Sequence, residues 1–104
     1  MKRITTVLVA NRGEIARRIF RTCREEGLRS AAVFTEVDRT LPFVQEADVA
    51  VCIGEGPANT SYLNVQSVLD AATKVGADAI HPGYGFLSEN AAFAQAVEAA
   101  GLVW

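Results

Sequence analysis

"ITTVLVANRGEIARRIF", residues 4–20, is the stretch that decides the fold. Ile4 to Ala10 is β-branched and nearly continuously apolar, the pattern of a strand buried on both faces. Gly13 then breaks the chain, and Glu14 opens a helical pattern. Ile15, Ile19 and Cys23 recur at helical spacing, with Ala16 and Phe20 beside them. Arg17, Arg18, Arg21 and Arg24 fall on the opposite face, and Gly27 supplies a stop. A buried strand, a tight turn and an amphipathic helix in this order form the first half of a βαβ unit.

The same alternation continues outward. Ser30–Thr35 predicts a second buried strand, and Glu36 to Arg39 a polar loop. Thr40 is a candidate cap for a short helix with Pro42 in its first turn, running to about Ala47. Val49–Ile53 predicts a third strand. Asn64 caps the next helix, whose stripe is Val65, Val68, Leu69, Ala72 and Val75, ended by Gly76. Ala77 to His81 predicts the fourth strand. Ser88 is a candidate cap for a last helix carrying Phe93, Val97 and Ala100, and Leu102–Trp104 starts a fifth strand. The class is therefore α/β: a Rossmann-like, doubly wound, mostly parallel sheet of about five strands with helices on both faces. The 104 residues fit a single domain, 1–104, and the apolar ending marks it as the front piece of something longer.

Half of the chain is hydrophobic, enough for a core without staples, and the net charge of −2 gives no overall pull on nucleic acid. Eight of the ten Lys and Arg lie at or before Arg29, so charge is concentrated on the first helix. That is either a solvated face or a contact surface. Cys23 and Cys52 have no C-x-x-C spacing and no histidine nearby in sequence, which excludes a metal or redox motif. Behind Met1, Lys2 and Arg3, the apolar run Val7 to Ala10 is too short for a signal peptide or membrane span. A reduced, cytoplasmic setting is expected, with no membrane partner.

Two motifs carry the candidate chemistry. "ANRGEIA", residues 10–16, occupies the turn that binds phosphate in dinucleotide folds, but that fingerprint needs three glycines and only Gly13 is present. Glu14 at the helix start would also repel a phosphate. A tight structural turn, with Asn11 and Arg12 bonding to nearby loops, is the better reading. Glu36 and Asp38 stand where such folds keep a ribose acid, and without the glycines they read as polar loop residues. "HPGYGFLSEN", residues 81–90, crowds the only histidine, a proline and two glycines at the end of the fourth strand, where ligands of such folds bind. Gly83 and Gly85 permit conformations closed to other residues, and Tyr84 between them would be presented outward. A rigid structural turn and a ligand wall both fit this composition. No nucleophile or acidic partner accompanies His81, so no catalytic residue and no metal ligand is assigned.

Four ordered stretches, "ANRGEIARRIFRTCRE" (10–25), "ADVAVCIG" (47–54), "SYLNV" (61–65) and "GADAIHPGYGFLSEN" (76–90), resemble biotin carboxylase across nearly the whole chain. "FTEVDRTLPFV" (34–44) departs most from the family. The resemblance implies the N-terminal, pre-ATP-grasp domain of the component found in acetyl-CoA, propionyl-CoA and pyruvate carboxylases. It implies an enzyme, an ATP-dependent ligase, that uses ATP, bicarbonate and Mg or Mn to carboxylate biotin on a carrier protein or domain. The ATP-grasp and C-terminal domains would supply the catalytic and metal groups, so this segment alone would be inactive and bind no cofactor. Tyr84 and Gly85 would form a wall of the biotin site, supported by His81, Pro82 and Gly83. Arg18, Arg21 and Glu25 would lie at a homodimer interface, and a carboxyltransferase component would be a further partner. Two other readings compete: a stand-alone Rossmann-like nucleotide-binding module, and a pure interaction domain using the arginine face.

Overall fold

Four short strands pair in parallel; the apolar runs 7–10 and 31–34 are continuous because they are buried on both faces, whereas Ala50 and Cys52 of the edge strand are exposed. The structure, a computed structural model, describes residues 3–57 and 61–104; Met1 and Lys2, part of the N-terminal reading above, lie outside the described residues. The elements run β1 (Thr6–Val9), α1 (Gly13–Glu25), β2 (Arg29–Thr35), a 3-10 turn (Glu36–Asp38), α2 (Pro42–Glu46), β3 (Val49–Gly54), α3 (Val65–Val75), β4 (Ala79–His81) and α4 (Ala91–Ala99). The sheet order is β3-β2-β1-β4. Beside β4, Val103 pairs with Ala79 as an isolated parallel bridge, so the fifth position is one bridge rather than a strand.

The two central strands, β1 and β2, are covered on both faces, as a doubly wound unit requires. On one face Val9, Ala32 and Phe34 pack against Ala16 and Phe20 of α1 and Phe43 and Val44 of α2. On the other, Leu8, Ala31, Val33 and Ile80 pack against Val68, Ala71 and Ala72 of α3 and Phe93 and Val97 of α4. Among the described residues, no helix is long and apolar enough to cross a membrane.

The caps show how local chemistry sets the helix ends. The Asn64 side chain accepts from the Ser67 N–H at 3.0 Å, and Gly76 closes α3 in the left-handed conformation (φ 70°). α2 begins one residue later than the Thr40 cap expected from sequence: Leu41 takes the cap position and Pro42 the first turn. Likewise α4 is capped by Asn90, whose Oδ1 accepts from the Phe93 N–H at 2.9 Å, and not by Ser88. Ser88 lies in the preceding turn, its backbone N–H bonded to the Gly85 carbonyl.

α1 is rotated from the expected stripe. Its buried residues are Ala16, Phe20 and Cys23, while Ile15 and Ile19 are only half-buried.

The two candidate caps of α4 separate cleanly by mutation. Asn90→Ala is expected to cost about 1 kcal/mol of stability, and Ser88→Ala to stay within about 0.5 kcal/mol. Urea unfolding of both variants checks this, and equal losses would move the helix start back to Ser88.

Candidate functional site

The strand order reverses between β1 and β4, and their carboxyl ends open the crevice where ligands of doubly wound folds bind. Both strands deliver polar residues there. Asn11, two residues past β1, is 1% exposed. Its Nδ2 donates to the carbonyls of Pro82 (2.9 Å) and Tyr84 (2.7 Å), and its Oδ1 accepts from the Arg12 N–H (2.9 Å). All three polar hydrogen-bonding needs of that amide are met inside the fold. Gly83 lies against it: a Cβ there would come within 2.7 Å of the Ile15 side chain and 2.8 Å of Asn11 Nδ2. Glycine is therefore required at 83 for closeness as well as for φ (66°).

The rest of the loop is held from the other side. Phe86, the non-glycine residue with positive φ (45°) among those described, stacks on Tyr62 with ring centroids 5.2 Å apart. The Tyr62 hydroxyl donates to Asp38 at 2.7 Å, and Arg12 grips the same carboxylate through two bonds of 2.7 and 2.8 Å. The Arg12 bond holds the Asp38 carboxyl below its usual range, against the opposing effect of burial. Burial and the neighbouring Asp38 push the Tyr62 phenol far up. Asp38 is thus buried and committed inward, where the sequence suggested an exposed loop acid.

Between these two supports the Tyr84 ring is left 72% exposed, and an added Cβ at Gly85 would meet nothing. His81 closes the turn: its Nδ1 accepts from the Gly83 N–H at 3.0 Å, which requires that nitrogen to be unprotonated. Burial lowers the His81 pKa, in keeping with that role.

The arginine face divides in two. Arg17 bonds to Glu46 of α2 at 2.6 Å and to Glu14 at 3.4 Å. Arg18, Arg21 and Glu25 are exposed and make no ion pair among the described residues, although Arg21 and Glu25 stand four residues apart on the helix, a spacing that favours pairing. An open cavity of about 570 Å³ lies between this helix and the loop, with Ile15, Ile19 and Arg18 on one side and His81, Gly83 and Tyr84 on the other. The structure thus brings Tyr84, Gly83 and His81 together with Arg18, while Arg21 and Glu25 stand apart from that group. Sequence reasoning expects Asn11 and Arg12 to bond nearby loops, as they do, but misses the partners Asp38 and Tyr62. Neither carries a signal beyond its residue type: Asp38 stands in the polar loop after the second strand and Tyr62 in "SYLNV".

Residues 3–104 match the family model for the biotin carboxylase N-terminal domain. The chain belongs to this family. It is 56% identical over 101 residues to the biotin carboxylase of Allochromatium vinosum, covering 97% of this chain and 22% of that protein. It is 57% identical over 102 residues to the biotin-dependent acyl-coenzyme A carboxylase alpha3 subunit of Mycobacterium leprae, covering 98% of this chain and 17% of that one. In structure it matches the biotin carboxylase domain dimer of Hydrogenobacter thermophilus 2-oxoglutarate carboxylase, in complex with MgADP, ADP and bicarbonate. There the TM-score is 0.91 at 48% identity, covering 98% of this chain and 22% of that one. The chain spans about a fifth of the length of the relatives it matches.

In this biotin carboxylase domain the loop turn depends on a neutral imidazole. The unfolded chain takes up the His81 proton first as pH falls, because burial disfavours the charge in the fold. The contribution of His81 is full above pH about 6.5 and is lost below it, down to the lowered folded value. His81→Asn keeps an acceptor for the Gly83 N–H and removes the titration. Unfolding measured at pH of about 7.5 and 5.5 is expected to show a smaller loss for the variant. Identical losses would remove His81 as the source.

Proposed function

We propose that the chain is the pre-ATP-grasp domain, residues 1–104, of a longer biotin carboxylase that uses ATP and bicarbonate to carboxylate biotin carried on a partner protein or domain. The observation that carries the reading is the Tyr84 ring, exposed on a loop held from both sides at the strand-order reversal, beside an open Gly85. A flat, apolar ring with a polar tip fits the fused rings of biotin, and the bare Gly85 leaves room for a close approach. His81, Pro82 and Gly83 hold that wall in place, the first through its bond to the Gly83 N–H. ATP and Mg or Mn would bind in the remainder of the protein, and those ions would neutralise phosphate charge there. This chain's residues orient biotin and assign no group to proton transfer.

Arg18, Arg21 and Glu25 are free of internal ion pairs among the described residues, which suits the interface of a homodimer. Carrier, carboxyltransferase and a cytoplasmic setting complete the proposal. A stand-alone nucleotide-binding module is the weaker reading: Asp38 is consumed by Arg12 and Tyr62, and Glu14 sits in the first turn of α1.

Tyr84→Ala in the full-length protein is expected to lose about 1 kcal/mol of ring contact, roughly fivefold in biotin affinity, with ATP affinity unchanged. Kinetics with free biotin and a thermal midpoint on one preparation decide it: a large drop in midpoint with normal use of biotin would make the loop purely structural. For the helix face, Arg21→Glu is expected to shift the full-length protein toward monomer on dilution, and an unchanged sedimentation profile would return Arg21 to solvent.

A further inference from the structure

We propose that Asn11 is a positioning residue for biotin: its buried carboxamide sets the height and tilt of the Tyr84 ring and of the Gly85 backbone by holding the carbonyls of Pro82 and Tyr84 together. The inference rests on the biotin-wall reading above and extends it to a residue outside the loop. Both Nδ2 hydrogens are used, at 2.9 and 2.7 Å, on carbonyls two residues apart. The amide cannot turn over, because its Oδ1 is held by the Arg12 N–H at 2.9 Å and a flip would face oxygen with two oxygens. Gly83, between the two carbonyls, has no Cβ, and one there would strike this same amide. The three residues Pro82, Gly83 and Tyr84 are therefore wrapped around one side chain.

A purely folding role would not explain where this bond is spent. The Tyr84 ring adds nothing to the core, being 72% exposed, yet its carbonyl takes the shorter of the two bonds from a fully enclosed donor. The loop also carries left-handed residues at Gly83, Gly85 and Phe86, a run of conformations that persists only when its surroundings over-determine it. Asn11 supplies that determination from just past β1, the strand paired with β4, and so ties the ring to the most enclosed part of the molecule. No shorter or charged side chain does the same. Serine reaches at most one carbonyl, and aspartate sets negative oxygen against both.

The test uses the full-length protein and ATP-dependent carboxylation of free biotin. Asn11→Ala is expected to raise the KM for biotin by up to about fivefold, the most that removing the ring itself would do, with the KM for ATP and kcat at saturating biotin little changed. Because Asn11 acts through Tyr84, adding Asn11→Ala to Tyr84→Ala should raise that KM little further. Asn11→Ser, which keeps a polar group in the site, replaces Asn11→Ala if the latter does not fold, with the same expectation. Amide hydrogen exchange at Gly83 and Gly85 should accelerate in either variant. A biotin KM that is normal in a folded Asn11 variant, or one that adds fully to the Tyr84→Ala effect, overturns the positioning role while leaving the wall intact. A normal biotin KM in Tyr84→Ala removes the wall reading itself and the proposal with it.

Discussion

Two adjacent side chains at the end of β1 hold the carboxyl edge of the sheet together. β1 is central, paired with β2 through Thr6–Val9 and with β4 through Val7–Val9. Just beyond it, Arg12 reaches across to Asp38 after β2, and Asn11 reaches the other way to Pro82 and Tyr84 after β4. Neighbouring residues of an extended chain point to opposite sides, so one short stretch can grip both flanking loops. The loop geometry, the exposure of Tyr84 and the burial of Asp38 all follow from those two grips. Arg12 remains charged at any relevant pH, and its bond keeps Asp38 ionised to lower pH than usual.

The elements were legible because each depends on residues close in sequence. Continuous Val, Ile, Ala and Leu runs announced the strands, of which β1 and β2 are buried on both faces, and Asn64 and Gly76 marked the ends of α3 as they stand. Ambiguity entered where two capping residues lay within a turn of one another. Ser88 and Asn90 are both good caps, and the loop closing on the Gly85 carbonyl took Ser88 out of contention. The α1 stripe was misplaced by one position because Ile15 and Ile19 are as apolar as the residues that do enter the core. Both line the cavity beside the loop, and Ile19 also packs against the margin of the core.

The candidate site was legible only in part, for a different reason. That Tyr84 would stand outward followed from the glycines on either side of it. That Asn11 bonds a neighbouring loop was legible; that the loop is the one carrying Tyr84 was not, since donor and acceptors are 71 and 73 residues apart. Asp38 looked like one more loop acid until Arg12 and Tyr62, 26 and 24 residues away, closed on it. Buried polar residues are recognised by their partners, and a single sequence does not pair them.

The stack of Phe86 on Tyr62 has a consequence for how a ligand would arrive. The Phe86 ring, on a left-handed backbone, is pinned, and the pin runs through the Tyr62 hydroxyl to the charged pair of Asp38 and Arg12 past the end of β2. The surface around Tyr84 is consequently preformed. A flat group arriving there would meet a finished plate and would spend little free energy on ordering the protein side, so the conformational cost of the encounter would fall on the visitor and on whatever tether delivered it.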